Sequence, residues 1–228
     1  DAGNLLEGLE EKAAKLQNIW ITHSHLDHIS DIAYIIDNYF ENFQQPIKIC
    51  GLAQTIKAIQ KHFLNDVIWP DFSKIPLLNG SGMCIEYQEI ELDKEYRLSE
   101  NEILRAFQTD HTVPSCGYVY KKGDTAILVT SDTYSIDNAI EIVDNDKSIT
   151  SMVIECSFPS SMEQLAKDSK HLTPKLLSEM LQSLKRDDID IHINHIKPLL
   201  LEEMTRELND YCSTWKPKIL KDGEIIKF

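Results

Sequence analysis

Ile19-Trp20-Ile21-Thr22-His23-Ser24-His25-Leu26-Asp27-His28 places three imidazoles and a carboxylate within six positions. Before them, Ile19 to Thr22 carries the β-branched and apolar residues of a strand. After them, Ile29, Ile32, Ala33, Ile35, Ile36 and Phe40 recur at helical spacing. The four polar groups therefore sit on a strand-to-helix turn. There His23 and His25 leave the chain in one direction, and Asp27 and His28 lie about a quarter turn further on. Neutral imidazole and carboxylate suit Zn²⁺ and also Mn²⁺ or Fe²⁺. Two divalent ions roughly 3.5–4 Å apart, a spacing used for phosphate-ester hydrolysis, are the expected occupants. A histidine-rich polar turn without a metal is the plain alternative, and four ligand-type residues in this register disfavour it.

Outward from this turn, composition narrows the function. The 228 residues, 42% hydrophobic and 26% charged, suit one generous core, and a single domain over 1–228 is expected. No apolar run approaches the ~20 residues of a membrane span, so a membrane partner is not expected. Thirty-seven acidic against 23 basic residues, net −14, oppose binding of a long nucleic acid, whose affinity rests on Lys and Arg. A small anionic ester stays compatible, because bound cations reverse the local field. Five widely spaced cysteines without a Cys-x-x-Cys pair read as reduced, mostly buried thiols, which favours the cytoplasm.

Further along, residues 4–18 read as one amphipathic helix, Pro46–Gly51 as a strand and Ala53–Leu64 as a helix. Asn65–Phe72 fits neither period and is expected to be a loop or lid. In it Trp69 and Phe72 either cap the core or line a pocket where a purine stacks. Met83–Ile90 and Tyr96–Phe107 suggest antiparallel strands, Lys122-Gly123-Asp124 a hairpin turn, and Pro217–Phe228 a final hairpin-like edge.

Polar residues then recur where strands end. His111 precedes a Pro/Gly loop, Asp132 follows the apolar run Ala126–Thr130, and Glu155 follows Ser151–Ile154. His195 closes the run Ile189–Ile193, in which alternation makes His192 structural. His171 lies just before a helix start with Thr173 as N-cap and Pro174 at the first helical position. His111, Asp132 and His195 are candidate ligands beside the first motif.

His-x-His-x-Asp-His resembles the signature of the metallo-β-lactamase superfamily. The resemblance implies an α/β fold, the four-layer αββα sandwich, whose first strands precede Asp1 and are missing from this chain. With those strands missing, a periplasmic location stays open. Within the superfamily the loops look most like the class II cyclic-nucleotide phosphodiesterases: residues 25–29, 65–71, 111–115, 131–133, 154–159, 170–174 and 194–198 carry the likeness. Asp31 departs from it, standing where that family usually has a small residue. The superfamily's dinuclear set assigns His23, His25 and His111 to one metal and Asp27, His28 and His195 to the other, with Asp132 bridging. The implied reaction is hydrolysis of a 3′,5′-cyclic nucleotide, cyclic AMP before cyclic GMP, to the 5′-monophosphate by a bridging hydroxide. Asp27, His171 and Glu155 are the catalytic candidates, with His171 protonating the leaving 3′-oxygen and Glu155 holding its imidazole. Trp69, Phe72, Thr112 and Ser157 are the candidate substrate contacts, and a homodimer is an allowed assembly. Ribonuclease Z, which shares a Glu and His pair, is the alternative enzyme, and a metal-binding regulatory protein without turnover the alternative class.

Overall fold

Two groups of strands build two separate sheets in the computed structural model, which describes residues 1–228. The chain divides into two compact units, Asp1–Glu91 and Leu92–Phe228, each with its own apolar core.

The first unit runs α1 (Leu5–Leu9), a 3₁₀ stretch (Glu10–Lys15), β1 (Asn18–Trp20), α2 (Leu26–Tyr39), β2 (Ile47–Leu52), α3 (Ala53–His62) and β3 (Ile85–Ile90). The single helix expected over 4–18 is not formed. Gly8 weakens it, and Glu10, at φ 50°, turns the backbone out of helical geometry and stops α1 after five residues. The strands lie in the order β1-β2-β3, all parallel. The antiparallel pairing expected for Met83–Ile90 is therefore corrected: Ile47 pairs with Ile85 and Ile49 with Tyr87 in parallel register. The long connection over 63–84 permits a crossover, whereas an antiparallel neighbour would need only a tight turn. Ile32, Ile35 and Ile36 of α2 pack with Ile47 and Ile49 of β2 in the core. The helical face read from the sequence is thus the buried one.

The second unit contains β4 (Glu95–Arg97), β5 (Glu102–Gln108), β6 (Cys116–Lys122), β7 (Thr125–Val129), α4 (Asp137–Asn145), β8 (Ile149–Glu155), α5 (Glu163–Ser169), α6 (Pro174–Leu181), β9 (Asp190–Asn194), α7 (Leu201–Tyr211) and β10 (Lys218–Ile219). Its sheet has the order β10-β9-β8-β7-β6-β5-β4. Strands β4 to β7 are antiparallel, and β7 to β10 are parallel. The β6–β7 hairpin turns at Gly123, whose φ of 62° a β-carbon would oppose. Thr173 caps α6 as expected, its side chain accepting the Leu176 N–H. The terminal hairpin expected over 217–228 is not formed: β10 is the one strand of that segment, and it pairs in parallel with β9, from which α7 separates it in the chain.

Strands β5, β7, β8 and β9 all run the same way, so their C-terminal ends share one edge of the sheet. His111, Asp132 and His195 follow the ends of β5, β7 and β9, Glu155 is the last residue of β8, and the carboxyl edge is where open α/β sheets bind ligands. No helix is long and apolar enough to cross a membrane. All five cysteines are buried free thiols, as their spacing suggested.

Candidate metal centre

In the first unit, the turn after β1 presents its imidazoles through the start of α2. His25 stands at the N-cap position, and Asp27 and His28 lie in the first helical turn. Asp27 is exposed and His23 fully buried. His23 Nε2 and His25 Nδ1 are 3.1 Å apart, close to the ~3.3 Å between two nitrogens held 2.0–2.1 Å from one tetrahedral ion. The His23 and His28 rings are 4.1 Å apart between centroids.

The other ring nitrogens are fixed by groups that the sequence reading passed over. Asp1 Oδ2 lies 2.8 Å from His28 Nδ1 and accepts the Thr22 hydroxyl at 2.9 Å. Its Oδ1 accepts the Thr22 N–H at 2.7 Å. Because the Thr22 hydrogen goes to a carboxylate, its oxygen is left to accept from His23 Nδ1 at 3.0 Å. Asp1-Ala2-Gly3 is the segment that carries this carboxylate to the turn. Gly3 lets that segment run against the turn, since a β-carbon there would fall 1.6 Å from the Asp27 carbonyl oxygen. Asp31 accepts the Leu6 N–H at 2.8 Å, which ties α1 to α2.

In the second unit, Asp132, 2% exposed, faces a different histidine with each oxygen. Oδ1 is 3.5 Å from His195 Nε2 and Oδ2 is 3.9 Å from His111 Nε2. Asp132 thus belongs to one possible metal-holding group with His111 and to another with His195. His111 Nδ1 donates to the Lys170 carbonyl at 3.1 Å, and His195 Nδ1 lies 2.9 Å from Ser157 Oγ. One ligand atom from each of Asp132, His171 and His195 lies within 4.8 Å of the others. Of the seven non-glycine residues at positive φ, Ser131, Lys170 and His195 are at or next to these groups. Strained backbone of this kind persists where surrounding structure enforces it, commonly at functional sites.

Glu155 is fully buried. Its Oε1 accepts the N–H groups of Thr133 and Leu172, each at 3.2 Å, and lies 3.0 Å from His171 Nδ1, while Oε2 accepts the Ser157 hydroxyl at 2.9 Å. Burial pushes the Glu155 carboxyl up, against the pull of His171. Burial also opposes charge on His171, yet the hydrogen bond to Glu155 and its negative charge prevail and raise the imidazole. Three donors besides His171 satisfy the ionised carboxylate, so the proton of the pair belongs to His171.

These contacts test whether the residues suit a metal. Metal-binding histidines donate their second ring nitrogen to a carboxylate, carbonyl or other acceptor, which fixes the tautomer. His23, His28, His111 and His195 all engage Nδ1 in this way, which leaves Nε2 of each as the nitrogen available to a metal. The donor set fits divalent ions.

The sequence matches the family described as class-II cAMP phosphodiesterases over residues 7–114. It is 36% identical over 92 residues to 3′,5′-cyclic-nucleotide phosphodiesterase 1 of Saccharomyces cerevisiae; that stretch covers 40% of this chain and 25% of the yeast protein. Among solved structures, unliganded yeast PDE1 matches with a TM-score of 0.75 at 22% identity, over 92% of this chain and 68% of that one. YhfI of Bacillus subtilis, described as a metallo-β-lactamase fold protein, matches with a TM-score of 0.69 at 16% identity, over 98% of this chain and 82% of that one. The chain has the metallo-β-lactamase fold. The resemblance to class-II cyclic-nucleotide phosphodiesterases expected from the loops is likewise found, although the sequence match spans only a quarter of the yeast protein's length.

Within the metallo-β-lactamase fold, the second unit gathers His111, Asp132, Glu155, His171 and His195 through the contacts above. The first unit gathers His23, His25 and His28 on the turn that also carries Asp27. The four candidate substrate contacts fare differently. Thr112 is exposed beside His111, and Trp69 is half-buried against Tyr34 at 5.5 Å between ring centroids. Phe72, 4% exposed, packs in the first unit's core, as its capping alternative required. Ser157 is corrected outright. It is fully buried and its hydroxyl is engaged by Glu155, His171 and His195, so it has no surface to offer a substrate.

Proposed function

We propose that the chain hydrolyses a 3′,5′-cyclic nucleotide to its 5′-monophosphate, with cyclic AMP preferred over cyclic GMP. His23, His25, Asp27, His28, His111, Asp132 and His195 are the proposed holders of two divalent ions, zinc first and manganese or iron as alternatives. When bound, the ions would activate water for attack near neutral pH and neutralise charge on the phosphoryl oxygens. The observation that carries the reading is the buried Glu155–His171 pair beside Asp132 and His195. A metal site alone does not require that pair, whereas an ester with a basic leaving oxygen does.

With Nδ1 held by Glu155, His171 keeps Nε2 as the outward atom and carries a proton there. It gives that proton to the departing 3′-oxygen as the P–O3′ bond breaks. Glu155 stays ionised throughout and holds the ring's orientation. Trp69 and Thr112 are the proposed contacts to base and phosphate.

The net charge of −14 supports a small anionic substrate over a polyanion. The test is hydrolysis of cyclic AMP, cyclic GMP and a precursor transfer RNA by the purified protein, with its metal content measured alongside. Efficient cleavage of the transfer RNA with both cyclic nucleotides untouched would overturn the reading and promote the ribonuclease Z alternative. Two bound ions with no turnover of any of the three would favour the regulatory one.

A further inference from the structure

Ser157 has one hydrogen and two lone pairs, and three partners surround them. Glu155 Oε2 lies 2.9 Å from the hydroxyl, His195 Nδ1 2.9 Å and His171 Nδ1 3.2 Å, in a spot without solvent exposure. A carboxylate only accepts, so the hydrogen goes to Glu155. Both lone pairs are then left to accept, and His195 must present Nδ1–H to the serine. That tautomer leaves Nε2 as the unprotonated nitrogen, the atom that faces Asp132 Oδ1 at 3.5 Å.

We propose that Ser157 is a positioning residue: its hydroxyl sets His195 as the Nδ1–H tautomer for metal binding and links that ligand to the Glu155–His171 pair. Thr22 between Asp1 and His23 repeats the device in the first unit, with a hydroxyl that donates to a carboxylate and accepts from an imidazole. The stacking of His171 on His195, 5.4 Å between centroids and 15° between planes, means that one hydroxyl orients two parallel rings. The proposal rests on the assignment of His195 as a ligand, and not on the identity of the substrate.

The tautomer is read directly by ¹⁵N NMR of the metal-free protein at a pH where the imidazoles are neutral. His195 is expected to carry its proton on Nδ1, and a proton on Nε2 overturns the proposal without any variant. Ser157→Ala, titrated with zinc against a chromophoric chelator, is expected to weaken one of two ions by about 10–100-fold. The other ion should be held as before, and Ser157→Thr, which keeps the hydroxyl, should recover the affinity. Unchanged affinity for both ions in a folded Ser157→Ala protein overturns it; so does a threonine variant as weak as the alanine one. These readouts need no substrate. A protein that binds zinc as described but leaves cyclic nucleotides intact would sink the proposed reaction and keep the role of Ser157.

Discussion

Replacing His171 by alanine removes a site residue that the metal motif does not require. Its ring donates to Glu155 and stacks on His195, yet the Glu155 carboxylate keeps the Thr133 and Leu172 N–H groups and the Ser157 hydroxyl. The variant should therefore fold, losing about 1.5–3 kcal/mol for one charge-assisted hydrogen bond. A general acid contributes about 10²–10⁴-fold, or roughly 2.7–5.5 kcal/mol of barrier. We expect kcat/KM on cyclic AMP to fall by that factor while both metals remain. On a nitrophenyl phosphodiester the loss should be under about tenfold, because nitrophenolate departs without a proton. Steady-state kinetics on the two substrates and metal analysis of the same preparation decide the matter. An equal loss on both substrates would refute the acid role and make His171 a phosphate-gripping group. Loss of an ion would make it a ligand, which its closeness to Asp132 and His195 allows, and the assignment of His195 would then need revision.

Asp132→Ala should lose metal stoichiometry as well as activity, since each oxygen faces a different histidine; metal analysis showing full occupancy would contradict this. Burial pushes Cys50 up to about 12 and Cys116 and Cys212 up to about 11, so a thiol reagent at pH 8 should modify none of the five cysteines in the native protein and all five in denaturant. Burial opposes the charge on Asp146, but the Ser148 hydroxyl and N–H donate to its carboxylate at 2.7 and 2.9 Å and lower its pKa. A lowered folded pKa contributes stability above the unfolded value, about 3.9, that is lost as pH falls through the folded value. The stability gap between wild type and Asp146→Asn, measured by denaturant unfolding, should therefore hold from pH 7 to 5 and shrink below about pH 4. A gap that widens on acidification would contradict the sign.

Much of the site is legible in the sequence because ligand chemistry concentrates at strand ends, and strand ends are marked by a change of residue type. Ala126–Thr130 is apolar because β7 lies inside the sheet, and the first carboxylate after it, Asp132, is where the core stops. The same holds for Glu155 at the end of β8 and His195 after β9. The helical face of α2 was readable for a related reason: burial imposes a period of 3.6 on Ile29, Ile32, Ile36 and their neighbours. Strand direction was not readable, since β3 has the same local pattern whether it pairs parallel or antiparallel.

By itself, then, the sequence determined the chemistry available: imidazoles and carboxylates at strand tips, a helix start that carries Asp27 and His28, and a net charge unsuited to a polyanion. Residue type and local period fix these. Only the tertiary structure decided which groups orient the ligands, because Asp1 meets His28, the Lys170 carbonyl meets His111, and Ser157 meets His195 across 27, 59 and 38 positions of chain. It also moved Ser157 from the substrate to the buried layer beneath two imidazoles. A serine after a strand reads the same in sequence whether its hydroxyl faces water or a carboxylate, and the fold alone sets which partner it meets.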